Sequence, residues 1–387
     1  MVGDRISHTR DDITRVAGLG SDWVKYCSAV EEHVAEVIPH DRCCWHTVDP
    51  GTVLFTGSVN RNIECSGSWL ANYEYVVDDV NQWAHLARSG RVAGGLSIDT
   101  GGDLTRSARY RSREAYGVGD ELRVSLIAGG IYWGAAAFLR DADQPAFTDE
   151  HVRTIAALSS SIADGLRTAE LARVTSTSGG SDHGPGVVLF EAGGEAESIS
   201  PAAEMWIAEM IEIPAPTTPI ESKIVQAVAA QARMLPPGAE PLDSKARSRV
   251  RTRSGEWLLL YGTRLRGGTD DRTAVVIQPA TPSEIAPLVA FAYGLSERET
   301  QITLLCLQGR STKNMAQALS VSPYTVQDHL KGIFDKTGVH SRSELVGHVF
   351  LEHYVPRWES VAAAPPGWLV KATADNKPHG DSSPMLS

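Results

Sequence analysis

The C-terminal part of the chain, residues 295–353, carries helix start and stop signals at short intervals, and these limit its fold more than any other feature of the sequence. Ser296 and Glu299 have the spacing of a capping box, in which each side chain bonds the other residue's backbone N–H. Gly309 can end the helix that begins there, and Ser311 can cap the next one. The first two helices of this segment are therefore short.

A third helix begins at Ser322 and Pro323, since proline at the first helical position loses an N–H that has no partner in any case. One face of this helix is apolar: Val326, Leu330, Ile333 and Phe334. The opposite face is polar: Tyr324, Gln327, Asp328, Lys331 and Asp335. Gly338 ends the helix, and Ser341 with Glu344 opens a fourth one through another capping box. Two short helices joined by a tight turn, the second with a polar exposed face, are typical of a helix-turn-helix motif.

The segment resembles the C-terminal DNA-binding domain of LuxR/FixJ-type regulators along its whole length, from LSERET to HSRSELV. The resemblance implies that the third helix enters the major groove of double-stranded DNA. On that helix it implies four base-reading residues: Tyr324, Gln327, Asp328 and Lys331. Five residues match positions that the family uses mainly toward phosphates: Arg310, Thr312, Lys313, Thr325 and His329. The fourth helix then offers a dimer surface through Val346 and Phe350.

The third helix departs from the common pattern of that family at two positions. Gln327 and Asp328 stand where a lysine and an aliphatic or small residue are frequent. Fewer cations on this face predict a weaker sequence-independent contribution to DNA affinity. Because residues 295–353 carry 6 Lys and Arg against 6 Asp and Glu, a four-helix module that contacts only protein is the alternative interpretation.

The overall composition is typical of a globular protein in water. The 387 residues are 42% hydrophobic and 21% charged, with a formal net charge of −11, and a chain of this length forms about two to three domains. The longest nearly uncharged apolar run, residues 126–139, is too short to span a bilayer. The start, MVGDRISHTRDD, has no apolar leader, and the 5 cysteines form no disulfide framework. We therefore expect a cytoplasmic protein that contacts no membrane.

Segments rich in Gly, Ser and Pro divide the chain. Residues 175–186, TSTSGGSDHGPG, have the composition of a flexible linker. Residues 357–387 hold scattered prolines among small polar residues, which predicts a disordered tail. We expect domains at 1–174, 187–282 and 283–356.

The first domain is predicted as an α+β fold with a helix, two strands, a hairpin and a long helix. The hairpin at Gly129 and Gly130 and the following FTDEHVRTIAALSSSIADGLR resemble the GAF family over residues 20–172. Residues 187–282 resemble a PAS-type fold. Strands are predicted at 186–191, 247–252, 257–263 and 273–278, and a helix at 201–210. The predicted fold class is thus multidomain, with an α+β GAF-like sensor, an α+β PAS-like domain and an all-α C-terminal helix-turn-helix domain. Both resemblances imply binding of a small molecule or a partner domain, and neither fold determines the ligand.

Several metal-capable side chains lie close together in the first domain: His40, Cys43, Cys44, His46 and Cys65. Adjacent residues on a strand point to opposite faces, so Cys43 and Cys44 cannot both reach one ion, and a structural zinc site needs four converging ligands. Buried, inert cysteines are the favoured interpretation. A metal, haem or thiol-redox site is the alternative.

Basic residues recur at two places outside the C-terminal domain. One set alternates along a predicted strand: Lys245, Arg247, Arg249, Arg251 and Arg253. The other lies in a loop: Arg106, Arg109, Arg111 and Arg113. Solvated faces are the favoured interpretation of both sets, and a site for an anionic ligand or DNA phosphates is the alternative.

The sequence therefore predicts a sequence-specific DNA-binding transcriptional regulator that acts as a homodimer on double-stranded DNA. Its first two domains are expected to sense a small-molecule ligand or a partner, and no cofactor is assigned. A metal, haem or thiol-redox sensing regulator is one alternative. An N-terminal enzyme fused to a DNA-binding domain is another, but no Ser-His-Asp or paired-carboxylate set has the spacing of a known motif, so an enzyme is not predicted.

Overall fold

The computed structural model of the chain describes residues 2–113, 116–172, 183–236, 245–265, 272–347, 361–364 and 368–371. The N-terminal region is mixed α+β and the C-terminal region is helical, as predicted at this coarse level. The finer GAF-like and PAS-like assignments and the domain boundaries stay predictions. Within the described part of the chain, no helix is long and apolar enough to cross a membrane.

A six-stranded sheet forms the centre of the first domain. Its strands are β1 (Arg42–Val48), β2 (Phe55–Arg61), β3 (Ala93–Gly95), β4 (Val118–Ala128), β5 (Ile131–Asp141) and β8 (Glu212–Ile213). Their order in the sheet is β3-β4-β5-β1-β2-β8. The predicted hairpin joins β4 to β5, and its turn residues Gly129 and Gly130 both have positive φ, which residues with a side chain rarely adopt.

Three long helices cover one face of this sheet: α1 (Val2–Ala17), α2 (Trp23–Val37) and α7 (Asp149–Ala172). Tyr26 of α2 donates a 3.1 Å hydrogen bond to the carbonyl of Ile162 in α7. The two helices approach closely at Gly165, where a Cβ would lie 2.0 Å from the Tyr26 oxygen. The sequence predicted α2 and α7 but not α1.

Short helices cover the opposite face of the sheet. They are α3 (Gly67–Ala71), a π-helical turn (Asn72–Val76), α4 (Trp83–Ser89), α5 (Leu96–Asp99) and α6 (Ala108–Arg111). Leu70 and Trp83 pack with Cys44, Tyr132 and Ala135 of the sheet in one apolar cluster. No helical periodicity is visible in this part of the sequence because each helix is too short to show one.

The second domain is built on a five-stranded sheet in the order β7-β6-β11-β10-β9. Its strands are β6 (Gly186–Phe190), β7 (Ala196–Ile199), β9 (Arg247–Arg251), β10 (Trp257–Arg264) and β11 (Thr273–Pro279). Two helices accompany it, α8 (Pro201–Glu209) and α9 (Lys223–Arg233). The strands β6, β9, β10 and β11 and the helix α8 confirm the sequence prediction, whereas β7, β8 and α9 were not predicted.

The two N-terminal domains share one core. Strand β8 comes from the second domain but pairs in parallel with β2 of the first, with Ser58 opposite Glu212. Phe55 and Trp83 lie in the same apolar cluster as Val188 and Leu258. No gap in the packing therefore separates the two sheets.

The C-terminal domain consists of α10 (Pro282–Ala292), α11 (Glu297–Leu307), α12 (Thr312–Ala318), α13 (Pro323–Thr337) and α14 (342–347). The capping box of Ser296 and Glu299 and the predicted caps Ser311 and Ser322 are all present. Gly338 ends α13 in the left-handed conformation. These signals are confirmed because they act within one turn of helix and need no tertiary contact.

Two short strands lie within the predicted tail, β12 (Val361–Ala364) and β13 (Trp368–Lys371), and they pair with each other. The rest of residues 357–387 lies outside the described residues, as does 175–182 of the predicted linker. Disorder in these segments stays a prediction.

Helix α10 connects the sensor region to the C-terminal domain through both of its faces. Leu288 and Ala292 belong to the apolar cluster of α1, α2 and α7. Ile285 and Ala290 belong to the cluster of the C-terminal domain. Arg167 of α7 also donates a 2.8 Å hydrogen bond to the carbonyl of Ala292.

Candidate nucleic-acid interface and candidate ligand site

A tight turn joins α12 to α13. The N–H of Val321 donates a 3.0 Å hydrogen bond to the carbonyl of Ala316. Ser320 has φ of 54°, a left-handed conformation that is uncommon outside glycine and that reverses the chain within the turn. The predicted three-residue turn of Ser320, Val321 and Ser322 is confirmed.

Helix α11 holds the two helices of the motif in place. Arg298 donates a 3.1 Å hydrogen bond to the carbonyl of Leu319 at the end of α12. Glu299 accepts a 2.7 Å hydrogen bond from Lys336 of α13. Burial acts to raise the pKa of Glu299, but Lys336 and the capping contacts of Ser296 lower it below its usual value, so the carboxylate stays charged. The orientation of α13 is thus fixed by an ion pair from α11 as well as by its apolar face.

The outer face of α13 brings the predicted base-reading residues together. Tyr324, Gln327, Asp328 and Lys331 are all exposed, and Tyr324 retains 72% of its accessible surface. Val326, Leu330 and Ile333 face inward, as the sequence predicted. This helix therefore presents donors, acceptors and an aromatic ring to solvent along one side, which is the arrangement that base-edge contacts require. The individual roles of these residues stay predictions.

The cations of the C-terminal domain fall into two equal groups. Arg298 and Lys336 make the contacts above, and Arg342 donates to the carbonyl of Arg310. Arg310, Lys313 and Lys331 are exposed, and their side chains form no hydrogen bond or ion pair with any residue that the structure describes. These three cations are the ones that the sequence assigned to DNA.

The remaining residues predicted for phosphate contacts or for the dimer surface differ in their exposure and contacts. Thr312 and His329 are half-buried. The hydroxyl of Thr325 lies 2.9 Å from that of Ser322, so one hydrogen bond of each is already made within the helix cap. Val346 is half-buried on α14, whereas Phe350 lies outside the described residues.

The sensor region contains a buried network of ion pairs next to the first sheet. Arg109 donates to Glu121 at 2.7 Å and to Asp79 at 3.2 Å. Arg123 donates to the other oxygen of Glu121 at 3.0 Å and to Glu74 at 2.9 Å. Burial alone would raise the pKa of Glu121, but Arg109 and Arg123 lower it to about 2. All of these charges are paired, as charges in an interior must be.

This network corrects one sequence interpretation. Arg109 was assigned to a solvated loop with an anion site as the alternative, but it is buried and contacts carboxylates of its own chain. The solvated-strand interpretation is also wrong for two residues of the other basic set. Arg249 forms an ion pair with Asp49 at 2.6 Å, and Arg251 donates to the carbonyl of Glu170. Both arginines therefore join the second domain to the first.

A histidine without a polar partner lies beside this network. The ring of His46 stacks on Phe55, with centroids 4.5 Å apart, and lies edge-on to Trp83. Both of its ring nitrogens are buried, and neither has a hydrogen-bond partner among the described residues. Burial and the nearby cations Lys223 and Arg123 lower the pKa of His46 to about 3, so the ring is neutral. His46 thus lies in the interior between Phe55 of the sheet and Trp83 of α4.

The metal-capable residues divide between the two faces of the first sheet. Cys43 lies in the cluster of α1, α2 and α7, whereas Cys44 lies in the cluster with Trp83. This confirms that the two cysteines point to opposite faces. Four of the five cysteines are buried, and all five are free thiols. The carboxylate of Glu31 lies near His40 and Cys43, but Glu31 was not predicted as a ligand because it lies nine positions before the nearer of the two.

Comparison with known proteins identifies the C-terminal segment. A family model described as bacterial regulatory proteins, luxR family, matches residues 294–349. An HTH-type transcriptional regulator from the exeN 3′ region of Aeromonas salmonicida is 39% identical over 61 residues, which are 16% of this chain and 31% of that protein. This chain thus spans about a third of the length of that relative.

Solved structures resemble the chain only loosely. A complex of Vibrio cholerae VqmA with ligand and DNA is 17% identical with a TM-score of 0.22, covering 46% of this chain and 85% of that one. The DhaR(N)-DhaL complex of E. coli is 11% identical with a TM-score of 0.23, covering 72% of this chain and 90% of that one. The family match and the geometry of α11 to α14 together show that residues 294–349 are a LuxR-type helix-turn-helix domain.

Proposed function

We propose that this protein is a sequence-specific DNA-binding transcriptional regulator whose N-terminal region senses a small molecule. The observation that carries the proposal is the LuxR-type domain, in which one helix face is exposed together with three cations that have no partner among the described residues. The proposal includes no catalytic activity.

Helix α13 reads the bases in this account. Lys331 can donate to the O6 and N7 atoms of guanine, Gln327 can pair with adenine, and Asp328 can accept from the N4 amine of cytosine. Arg310 and Lys313 lie outside this helix, on the loop before α12 and in its first turn, and they contact phosphates. With so few cations, the loss of affinity on adding salt is small, since each phosphate contact contributes roughly 0.9 to the slope of log K against log salt.

The protein binds its site as a homodimer. One recognition helix reads only a few base pairs, so specific binding needs two of them on half-sites about one helical turn apart. Val346 on α14 is a candidate residue of the dimer surface. Sedimentation on saturated cognate DNA should give two chains per duplex, and one chain per duplex would contradict the dimer.

The signal enters at the sheet face that contains His46. The ring of His46 is neutral, lies among aromatic side chains and has no side-chain hydrogen-bond partner among the described residues, so a ligand with one polar edge could bond to it. Helix α10 packs against the cluster of α1, α2 and α7 on the opposite face of the first sheet and against the DNA-binding domain, so the change reaches it through the sheet. Native mass spectrometry of the purified chain should detect a bound small molecule that is lost from a His46→Phe variant.

Selection from a random DNA library tests the DNA-binding function. The full chain should enrich duplexes that share one motif with two related half-sites, and a chain with Lys331→Ala should enrich a motif relaxed at one base pair of each half-site. Enrichment of no motif by the full chain would contradict the proposed function. The control is Lys25→Ala, which removes an exposed cation from α2 and should leave the motif unchanged.

A further inference from the structure

Three potential metal ligands converge where α2 meets the first sheet. Glu31 lies on α2, His40 lies in the loop that follows, and Cys43 lies near the start of β1. The ligand atoms of these three residues, one carboxylate oxygen, one imidazole nitrogen and one sulfur, all lie within 4.8 Å of one another. The side chains of Glu31 and His40 are only 9% and 4% exposed, and Cys43 is buried. The cluster is thus largely shielded from solvent.

The histidine is already oriented as a ligand. Its Nδ1 atom lies 2.8 Å from the carbonyl oxygen of Ile38. A carbonyl can only accept, so Nδ1 carries a proton and Nε2 is the ring atom that remains to bind a metal. Nε2 lies 3.8 Å from Oε1 of Glu31, and the ring packs against Phe138 with centroids 4.8 Å apart. A backbone carbonyl that fixes the tautomer in this way is the usual outer contact of a metal-binding histidine.

The spacing suits a small tetrahedral ion. Zinc binds nitrogen, oxygen and sulfur ligands at about 2.0–2.3 Å, which sets neighbouring ligands of a tetrahedron roughly 3.5 Å apart. The distance between Glu31 and His40 is already 3.8 Å. We infer that Glu31, His40 and Cys43 bind a divalent transition-metal ion of the zinc type. This inference does not depend on the proposed DNA-binding function.

The charges of the site balance when the ion is bound. Cys43 binds as a thiolate and releases its proton to solvent, so one thiolate and one carboxylate neutralise the two positive charges of the ion. Arg61 contacts Oε1 of Glu31 at 3.1 Å, but its side chain is 48% exposed and can move toward solvent. Three protein ligands leave a fourth position for water or an exogenous ligand, as in zinc sites that exchange a ligand rather than serve only as a structural support.

The adjacent cysteine supplies a matched control. Cys44 is also a buried free thiol, but it belongs to the cluster on the opposite face of the sheet. Because Cys44 is the next residue on the same strand, Cys44→Ser makes the same chemical change on the opposite face of the sheet. Comparing Cys43→Ser with Cys44→Ser therefore shows on which face of the sheet the ion binds.

Cobalt binding to the reduced, metal-free full chain tests the site. Co²⁺ should bind one ion per chain and produce the near-ultraviolet absorption of a cobalt thiolate, and Zn²⁺ should displace it. Cys43→Ser should abolish this absorption, His40→Gln should weaken binding by at least about tenfold, and Cys44→Ser should change neither. Circular dichroism and urea unfolding without metal show whether each variant is folded. If Cys43→Ser is unfolded, the affinity of His40→Gln for Co²⁺ tests the site instead.

Three results would overturn the inference. The first is that wild type shows no thiolate absorption when it is titrated with Co²⁺. The second is that this absorption is lost in Cys44→Ser rather than in Cys43→Ser. The third is that a folded His40→Gln protein binds Co²⁺ with unchanged affinity. In the first case the cluster is a hydrogen-bonded group only. In the second the ion binds on the opposite face of the sheet.

Discussion

The basic side chains around α13 and those around β4 have opposite environments. Lys331, Lys313 and Arg310 are exposed and have no partner among the described residues, whereas Arg109 and Arg123 are buried and contact three carboxylates. An interior charge must be paired because desolvation otherwise exceeds any gain, while a surface charge can remain free for a polyanion. The two regions therefore use the same residue types for stability in one place and, in the proposed function, for binding DNA in the other.

Breaking the buried network should have the largest effect on stability. Arg123→Met leaves Glu74 and Glu121 in the interior without their shared cation, and this should lower the free energy of unfolding by about 3–5 kcal/mol. Urea unfolding of the full chain measures the change. Arg272, half-exposed and 3.3 Å from Glu197, is the control, and Arg272→Gln should cost less than about 1 kcal/mol. Equal losses in the two variants would show that burial of the ion pairs does not matter.

The buried histidine should make the sensor region sensitive to acid. The folded state keeps His46 neutral down to a pKa of about 3, while the unfolded chain takes up a proton near pH 6.5. The unfolded state thus binds more protons below pH 6.5, and the contribution of His46 to stability is lost as the pH falls from there toward 3.

Between pH 6.5 and 5 this loss should amount to about 2 kcal/mol. Comparing urea unfolding of wild type and His46→Phe at both pH values isolates the contribution. The variant should lose less stability than wild type over this range, and equal losses would place the ring in contact with water in the folded state.

Substituting an exposed cation of the C-terminal domain should change its DNA affinity and not its free energy of unfolding. Lys313→Ala should weaken binding to cognate and random DNA alike and lower the salt slope by about 1. Its free energy of unfolding should change by less than about 0.5 kcal/mol, because the side chain is exposed and unpaired. Titration at several salt concentrations gives the slope, and a slope equal to that of wild type would remove Lys313 from the phosphate contacts.

The two regions also differ in what the sequence could predict. The helix boundaries of the C-terminal domain follow from local signals such as Ser296 with Glu299 and Gly338, and all of these are confirmed. The pairing of Arg123 with Glu74 joins residues 49 positions apart, so no local pattern could reveal it.

Strand β4 illustrates how a local pattern can mislead. Glu121, Arg123 and Ser125 alternate with apolar residues, which normally indicates a face in contact with water. In the structure that face is covered by the short helices α3 to α6. These helices are too short to show a helical periodicity in the sequence. The sequence named His40 and Cys43 as metal ligands only in the alternative to inert cysteines, and it left out Glu31, which lies one element earlier.

The most direct test of the account compares α13 with the loop that precedes α12 on two DNA duplexes. On the selected site, Lys331→Ala and Gln327→Ala should each cost about 1–3 kcal/mol of binding free energy, while on a scrambled duplex of equal length both should bind nearly as wild type does. Arg310→Ala should lose affinity equally on both duplexes. Equal losses on both duplexes for Lys331→Ala and Gln327→Ala would contradict the assignment of α13 as the helix that reads the bases.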